Sequence, residues 1–573
     1  MKGLISPHGG KLCDLLETSQ NIKGIKEKAG KLPSLSLSPR QICDLELLLN
    51  GAFSPLTGFM GKEEYESVLE SMRLPNGVIW PLPVTLDVSE ALLKSLGEHS
   101  EVVLRDPEGF PLAVLEIRES WKADKTTEAQ RAFGTTSIDH PQVAFLQKRC
   151  GEYSLGGRIR GISLPRYYDF QELRRTPAEL RAMFEKGGHS TVVAFQTRNP
   201  MHRAHVELTK RAAEQVGGHL LIHPVVGQTK PGDVDHFTRV RCYRQALKYY
   251  PQNSVTLSLL PLAMRMGGPK EALLHAIIRK NYGCTHLIVG RDHAGPGKDT
   301  TGKPFYGPYD AQELLSAHSD ELGVRMVPFK NMLYVKGQDR YFPEDELPAG
   351  AETADVSGTQ LRELLSGGKE IPGWYSYPEV VTELRKAYPA NSKKGMVIFM
   401  TGLPSSGKST LANALVMRLM EVDSRRITLL DGDVVRKNLT AELGFSRQDR
   451  ATQVRRVGFI AAEIAKHGGT VICALIAPYA EDRQANREAV SQVAEYIEVF
   501  VNTPVNVCEV RDPKGLYAKA RSGLIKGFTG IDDPYEAPAA PEINVAMGDL
   551  SVEGGVKQVT DYLASRGFIS QEG

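Results

Sequence analysis

The run MVIFMTGLPSSGKS, residues 396–409, constrains this chain more than any other stretch. Met396–Thr401 is a continuous apolar run of the kind found in buried strands. The next eight residues, Gly402, Leu403, Pro404, Ser405, Ser406, Gly407, Lys408 and Ser409, fit the phosphate-loop pattern GxxxxGK[ST] in full. Thr410–Met420 reads as the helix that must follow. In such a loop the glycines let backbone N–H groups cradle phosphate. Lys408 reaches the outer phosphates, and the Ser409 hydroxyl is the candidate ligand of a magnesium ion carried by ATP. Strand patterns at Ile427–Leu430, Val471–Ile476 and Tyr496–Val501 complete an α/β domain over 395–573.

That domain is one part of a longer chain. At 573 residues a single core is excluded, and roughly three to four domains are expected. The net charge of +2 argues against a general nucleic-acid binder. No stretch approaches the roughly 18 uninterrupted apolar residues of a membrane helix, and MKGLISPHGGKL lacks the apolar core of a signal peptide. The 7 cysteines are scattered without a CxxC pair, which suggests neither a zinc cage nor a disulfide framework. A reducing, cytoplasmic setting is the expectation. Neither haem nor flavin is expected.

Residues 1–170 are rich in short strand signals. Gly77–Val88 reads as a strand, and Glu101–Arg118 as a hairpin turning at Asp106-Pro107-Glu108-Gly109. Asn50–Met60 (NGAFSPLTGFM) is a Gly/Pro-punctuated loop with a packing role. From 171 to 330 strands and helices alternate, which predicts a parallel sheet covered on both faces. Strand Thr191–Phe195 leads through Gln196-Thr197-Arg198-Asn199-Pro200 into a helix over about 201–215, with His202 and His205 in its first turn and on one face. An arginine beside a helix start suits a nucleotide phosphate. A second rim motif, Gly290-Arg291-Asp292-His293-Ala294-Gly295-Pro296-Gly297, follows strand His286–Val289. Ligands of such sheets sit outside the carboxyl ends of the strands. Residues 331–394 read as a small helical domain and linker, closed by the polar stretch Ala390–Gly395.

QTRNPMHRAH, GRDHAG and NGAFSPLTGFM resemble the signature segments of the ATP sulfurylase family over roughly residues 1–390. The resemblance implies an N-terminal β-rich, PUA-like domain and a Rossmann-like nucleotidyltransferase core. It also implies conversion of ATP and sulfate to adenosine 5′-phosphosulfate (APS) and pyrophosphate. Carried over by motif, Gln196, Arg198, Arg291 and Ala294 hold sulfate. Gln196, Thr197, Asn199, Gly290, Arg291, Asp292, His293 and Met332 line ATP. Thr197, Arg198, Asn199, His202 and His205 form the catalytic set. Thr359 and Arg362 sit in a segment similar to a second phosphate motif of related transferases.

The last domain is similar to adenylylsulfate kinase through GLPSSGKST, LDGDVVR, LGFS, RDPKGLY, FTGIDDPYEAP and PEINV. That family uses MgATP to phosphorylate the 3′-hydroxyl of APS, giving 3′-phosphoadenosine 5′-phosphosulfate (PAPS). By motif, Gly402–Thr410 hold ATP and Asp433 activates or orients the hydroxyl. Arg436, Phe445, Arg450, Lys514, Phe528 and Thr529 hold APS, with the two phenylalanines on either side of the adenine and Arg511 and Lys514 in a lid. Two positions depart from the pattern. Ala477 replaces the serine before Pro478-Tyr479, which disfavours a covalent phosphoenzyme, and Gln453 stands near where an asparagine is usual. The order of domains is also that of fungal ATP sulfurylases, whose C-terminal domain is a kinase relic that binds PAPS and regulates. Here the kinase motifs are complete, so a bifunctional enzyme is expected, with the regulatory module as the alternative. Family members are commonly homo-oligomers, which sets the same expectation here.

Overall fold

A computed structural model describes residues 3–229, 233–422, 426–512 and 515–569. The chain forms two compact units, Met1–Val356 with Pro372–Leu384, and Ser357–Ile371 with Arg385–Gly573.

The first unit opens with a six-stranded sheet. Its strands are β1 (Ser34–Ser36), β2 (Gly58–Phe59), β3 (Leu86–Val88), β4 (Glu101–Arg105), β5 (Pro111–Lys122) and β6 (Tyr153–Gly161), in the order β1-β4-β5-β6-β2 with β3 also on β6. The expected hairpin is present as β4 and β5, and Gly109 N donates to Asp106 O at 3.0 Å across its turn. Of the strand expected over 77–88, only Leu86–Val88 joins the sheet. Ile79, Trp80, Leu82 and Val84 are buried all the same. The reason is Pro81 and Pro83, which have no N–H to give a ladder. The loop Asn50–Met60 is packed as expected: Asn281 Nδ2 donates to Ala52 O and Ser54 O at 2.9 and 3.1 Å.

A second sheet is wholly parallel. Its strands are β7 (Val192–Phe195), β8 (His219–Ile222), β9 (Val255–Leu257), β10 (His286–Val289) and β11 (Arg325–Pro328), in the order β11-β10-β7-β8-β9. The chain builds outward from β7 through β8 to β9, then crosses back to place β10 on the other side of β7. The switch point therefore lies between β7 and β10, where a crevice opens at the carboxyl ends of the strands. Two helices matter below: α1 (Arg203–Val216), after β7, and α2 (Gly268–Asn281), before β10.

Residues 331–394 were expected to be helical. Helices Gly358–Ser366 and Pro378–Ala387 are there, but an antiparallel sheet precedes them: β12 (Met332–Val335), β13 (Arg340–Pro343) and β14 (Thr353–Ala354). These strands are short, and their faces are only partly buried, so they leave a weak pattern in the sequence.

The second unit carries another parallel sheet: β15 (Met396–Thr401), β16 (Ile427–Asp431), β17 (Thr470–Ala474), β18 (Glu495–Val501) and β19 (Ile543–Val545), ordered β16-β17-β15-β18-β19. Alternation along β15 feeds two cores. Met396, Ile398 and Met400 face one, and Val397 and Phe399 the other. Its helices include α3 (Lys408–Val422), α4 (Gly432–Asn438) and α5 (Arg447–Lys466).

The β2–β6 contact needs glycine. A Cβ on Gly58 would lie 1.9 Å from Gly157 O. Gly58→Ala must displace backbone and is expected to cost about 1–3 kcal/mol. All 3 tryptophans (Trp80, Trp121, Trp374) lie in the first unit. Tryptophan fluorescence during urea unfolding should therefore show a lowered midpoint in this variant.

Candidate functional site

Both rim motifs of the first unit fall at the switch point. After β7 the backbone turns through Gln196–Met201, and Pro200 delays the helix. His202 is consequently the N-cap of α1, with extended φ −104°, rather than a first-turn residue as the sequence suggested. Its backbone N–H donates to His205 Nδ1 at 3.2 Å. An acceptor Nδ1 puts the His205 proton on Nε2. His202 Nδ1 lies 2.8 Å from Ser376 Oγ, and its ring packs 4.6 Å from Tyr375. Burial lowers the pKa of His202 to about 3, with help from His205, and burial lowers that of His205 to about 4. Both imidazoles are neutral at pH 7 and offer N–H donors rather than cationic charge. Thr197 Oγ1 accepts from Asn199 N at 3.1 Å, and Tyr243 OH donates to Asn199 O at 2.9 Å, which sets the turn. Arg198 Nη1 pairs with Asp233 at 2.9 Å.

After β10, Asp292 and Ala294 both hold left-handed backbone, φ 52° and 56°. Non-glycine residues pay strain for this conformation, which clusters at functional sites. Gly268 N donates to Ala294 O at 3.2 Å and Asp292 N to Pro308 O at 2.8 Å, so neighbouring segments hold the loop. Gly290 has open space where a side chain would be, and Arg291 is exposed. The two motifs meet on a buried residue that sequence reasoning missed. His275, on α2, places Nδ1 3.1 Å from His293 Nε2 and Nε2 3.3 Å from Gln196 Nε2. Its sequence signal is Glu271-x3-His275-x3-Arg279, three polar residues at helical spacing interleaved with the apolar positions of α2, each 0% exposed. Ser376, far along the chain, left no local signal. Met332 is buried on β12, which packs near α1. Thr359 and Arg362 lie on the helix Gly358–Ser366, which belongs to the second unit.

In the second unit the phosphate loop is folded as its motif demands. Ser405 and Gly407 take positive φ, 59° and 99°. Lys408 Nζ donates to Gly402 O and Leu403 O at 3.0 and 2.7 Å, and burial lowers its pKa to about 8. Ser409 Oγ donates to Asp431 Oδ2 at 2.6 Å, while Asp431 Oδ1 accepts from Asp433 N at 3.0 Å as the cap of α4. Asp431, at the end of β16, was also missed, although its place in LDGD beside Asp433 was visible. Arg436 donates to Gly444 O at 3.1 Å and covers the exposed Phe445 ring at 4.4 Å. Arg450 is buried. Its Nε donates to Phe445 O at 2.8 Å, Nη2 to Gly527 O at 2.6 Å, and Nη1 to Thr529 Oγ1. One guanidinium thus ties the Phe445 and Phe528 loops together, while Phe528 packs edge-on to Tyr517 at 4.9 Å. Arg511 donates to Met547 O at 2.7 Å. Lys514 lies outside the described residues. Ala477 is buried in left-handed backbone, φ 41°, and Gln453 is buried on α5.

Two candidate phosphate sites, each at the carboxyl edge of a parallel sheet, fit a nucleotide-dependent transferase. The sequence matches a PUA-like domain family over residues 5–164, the ATP-sulfurylase family over 171–387 and the adenylylsulphate kinase family over 394–546. It is 50% identical over 570 residues to the sulfate adenylyltransferase of Chaetomium globosum, with 99% of each chain covered. It is equally 50% identical over 570 residues to that of Aspergillus oryzae, again over 99% of each. A solved structure, the hexameric APS kinase from Thiobacillus denitrificans, is similar with TM-score 0.81 and 35% identity over 99% of both chains. The chain belongs to the ATP-sulfurylase family of sulfate adenylyltransferases and carries an adenylylsulfate kinase domain; it is an enzyme built from these two transferases. Among the described residues no helix is long and apolar enough to cross a membrane.

The buried histidines give stability a pH dependence. Burial lowers the pKa of His8 and His140 to about 4 and that of His293 to about 3, alongside His202 and His205. Unfolded, each takes a proton near 6.5. Between pH 6.5 and 4 the unfolded chain binds more protons, so stability falls with falling pH, by up to about 1.4 kcal/mol per unit for each group. Above pH 7 these groups contribute no slope. The tryptophan-fluorescence midpoint should drop from pH 7 to 5; a flat profile there would contradict the assignment of neutral buried histidines.

Proposed function

We propose that the chain activates sulfate in two steps: ATP and sulfate give APS and pyrophosphate, and MgATP then converts APS to PAPS. In the first step a sulfate oxygen attacks the α-phosphorus of ATP, a P–O bond forms, and the bond to the β-phosphate oxygen breaks with pyrophosphate leaving. Positioning and charge stabilisation carry such a reaction. His202 and His205 offer neutral N–H donors to the α-phosphate oxygens as negative charge builds there. Thr197, Asn199, Gly290, Asp292, His293 and Met332 hold ATP. Gln196, Arg198, Arg291 and the backbone of Ala294 hold sulfate, with Arg198 steadied by Asp233 until the anion arrives. The observation that carries this reading is the meeting of both rim motifs at the β7/β10 switch point.

In the second step the 3′-hydroxyl of APS attacks the γ-phosphorus of ATP, ADP leaves, and Asp433 orients the hydroxyl and receives its proton. Gly402–Thr410 cradle ATP. Arg436, Phe445, Arg450, Phe528 and Thr529 surround APS, with Arg450 acting also as the strut between the two loops. Ser409 and Asp431 are hard oxygen donors side by side, a fit for magnesium entering with ATP, which neutralises charge on the outer phosphates when bound. Consuming APS draws the unfavourable first step forward. The hexameric assembly named for the Thiobacillus protein supports a homo-oligomer here.

A second reading, in which the last domain only binds PAPS and regulates, is favoured by the higher identity to relatives named for adenylyl transfer alone. The two readings part on products. With ATP, sulfate, magnesium and pyrophosphatase the wild-type chain should accumulate PAPS; APS alone would favour the regulatory module. Lys408→Ala should stop at APS, and His202→Ala should cut sulfate-dependent pyrophosphate release on the order of 100-fold or more.

A further inference from the structure

Helix α2 is a buried element, yet Glu271, His275 and Arg279 lie along one of its faces at 0% exposure. Burying such groups is costly unless they are bonded. Glu271 accepts from Arg265 N at 2.8 Å and Gly267 N at 3.0 Å in the first turn of the helix. Burial pushes its carboxyl pKa up, but His275 and these N–H groups pull it further down, so it stays ionised. Burial keeps His275 neutral, and a neutral imidazole has one N–H to place. The His275 Nε2 lies 3.6 Å from Glu271 Oε1, so the carboxylate draws the proton to Nε2. Nδ1 is then an acceptor, and His293 Nε2–H donates to it across 3.1 Å.

The same Nε2–H faces the Gln196 carboxamide at 3.3 Å. Only the amide oxygen can accept it. As placed, Gln196 Nε2 faces the ring, and Oε1 is buried without a partner. Turning the carboxamide by half a turn exchanges two atoms of nearly equal size, gives Oε1 its donor and frees the NH2. Sulfate oxygens only accept hydrogen bonds, so a free NH2 is what the anion needs.

We propose that His275 is a positioning residue of the adenylyl-transfer site, holding the Gln196 carboxamide so that its NH2 faces the oxyanion and fixing the His293 ring beside it. This rests on the sulfate-activation reading above. The test is steady-state pyrophosphate release by the full chain, with sulfate varied at saturating ATP, for wild type, His275→Phe and His275→Gln. His275→Phe fills the volume but has no donor, and it should raise the sulfate KM on the order of tenfold with a smaller change in the ATP KM. His275→Gln restores an N–H near the Nε2 position and should return the sulfate KM to within about threefold of wild type. Kinase turnover of supplied APS and the fluorescence midpoint report whether the variants are folded. A folded His275→Phe with a sulfate KM within about twofold of wild type overturns the proposal. If His275→Phe does not fold, His275→Gln decides: recovery of the sulfate KM supports the role, and a tenfold rise overturns it. A wild-type chain that releases no pyrophosphate with sulfate would be a different result, overturning the proposed function and this inference with it.

Discussion

Strand β7 is paired on one edge with β8 and on the other with β10, in parallel on both sides. Everything in the first site follows from that double pairing. A strand flanked by a sequence neighbour and a returning strand leaves a gap between the loops at its carboxyl end, because the connecting helices run to opposite faces. Gln196–His205 leaves β7 and Gly290–Gly297 leaves β10 into the same gap, although roughly 90 residues separate them in the chain. No charge attraction is needed to assemble the rim. The hydrogen-bond ladder does it, and α2 locks it through His275.

The same burial that holds the rim changes its chemistry. A histidine pair beside a helix start looks like a cationic anion trap, but desolvation removes that charge. What remains are directional N–H groups, with the His205 proton set on Nε2 by the His202 backbone amide and the His202 ring held against Ser376. Full charge is left to the arginines at the rim. The second unit divides the work differently. Lys408 is a buried cation resting on carbonyls of its own loop.

Features with contiguous signatures were legible in the sequence. The strand–loop–helix of Met396–Val422, the β7 turn and the β4–β5 hairpin each announce themselves within a short contiguous stretch, because local sterics and periodicity dictate them. Short strands such as β12–β14, with one wet face, did not. A strand-like composition hid the irregular path that Pro81 and Pro83 impose on residues 77–85. The residues that orient others were the hardest to see. Ser376 meets His202 across 174 positions, Glu271 and His275 gain meaning only under the rim, and Asp431 only beside Ser409. Sequence shows which side chains can do chemistry; the fold shows which ones hold them still.

The path of the chain between units has a further implication for how this enzyme can be taken apart. The first unit ends at Val356, resumes at Pro372 and ends again at Leu384. Ser376 and Tyr375, which fix and cover the His202 ring, belong to that resumed piece. Cutting at the first boundary would strip a support from His202, and cutting after the second would leave Ser357–Ile371 attached to the wrong half. Because the chain passes between the units at 356/357, 371/372 and 384/385, separating them calls for three breaks and a new junction in each half.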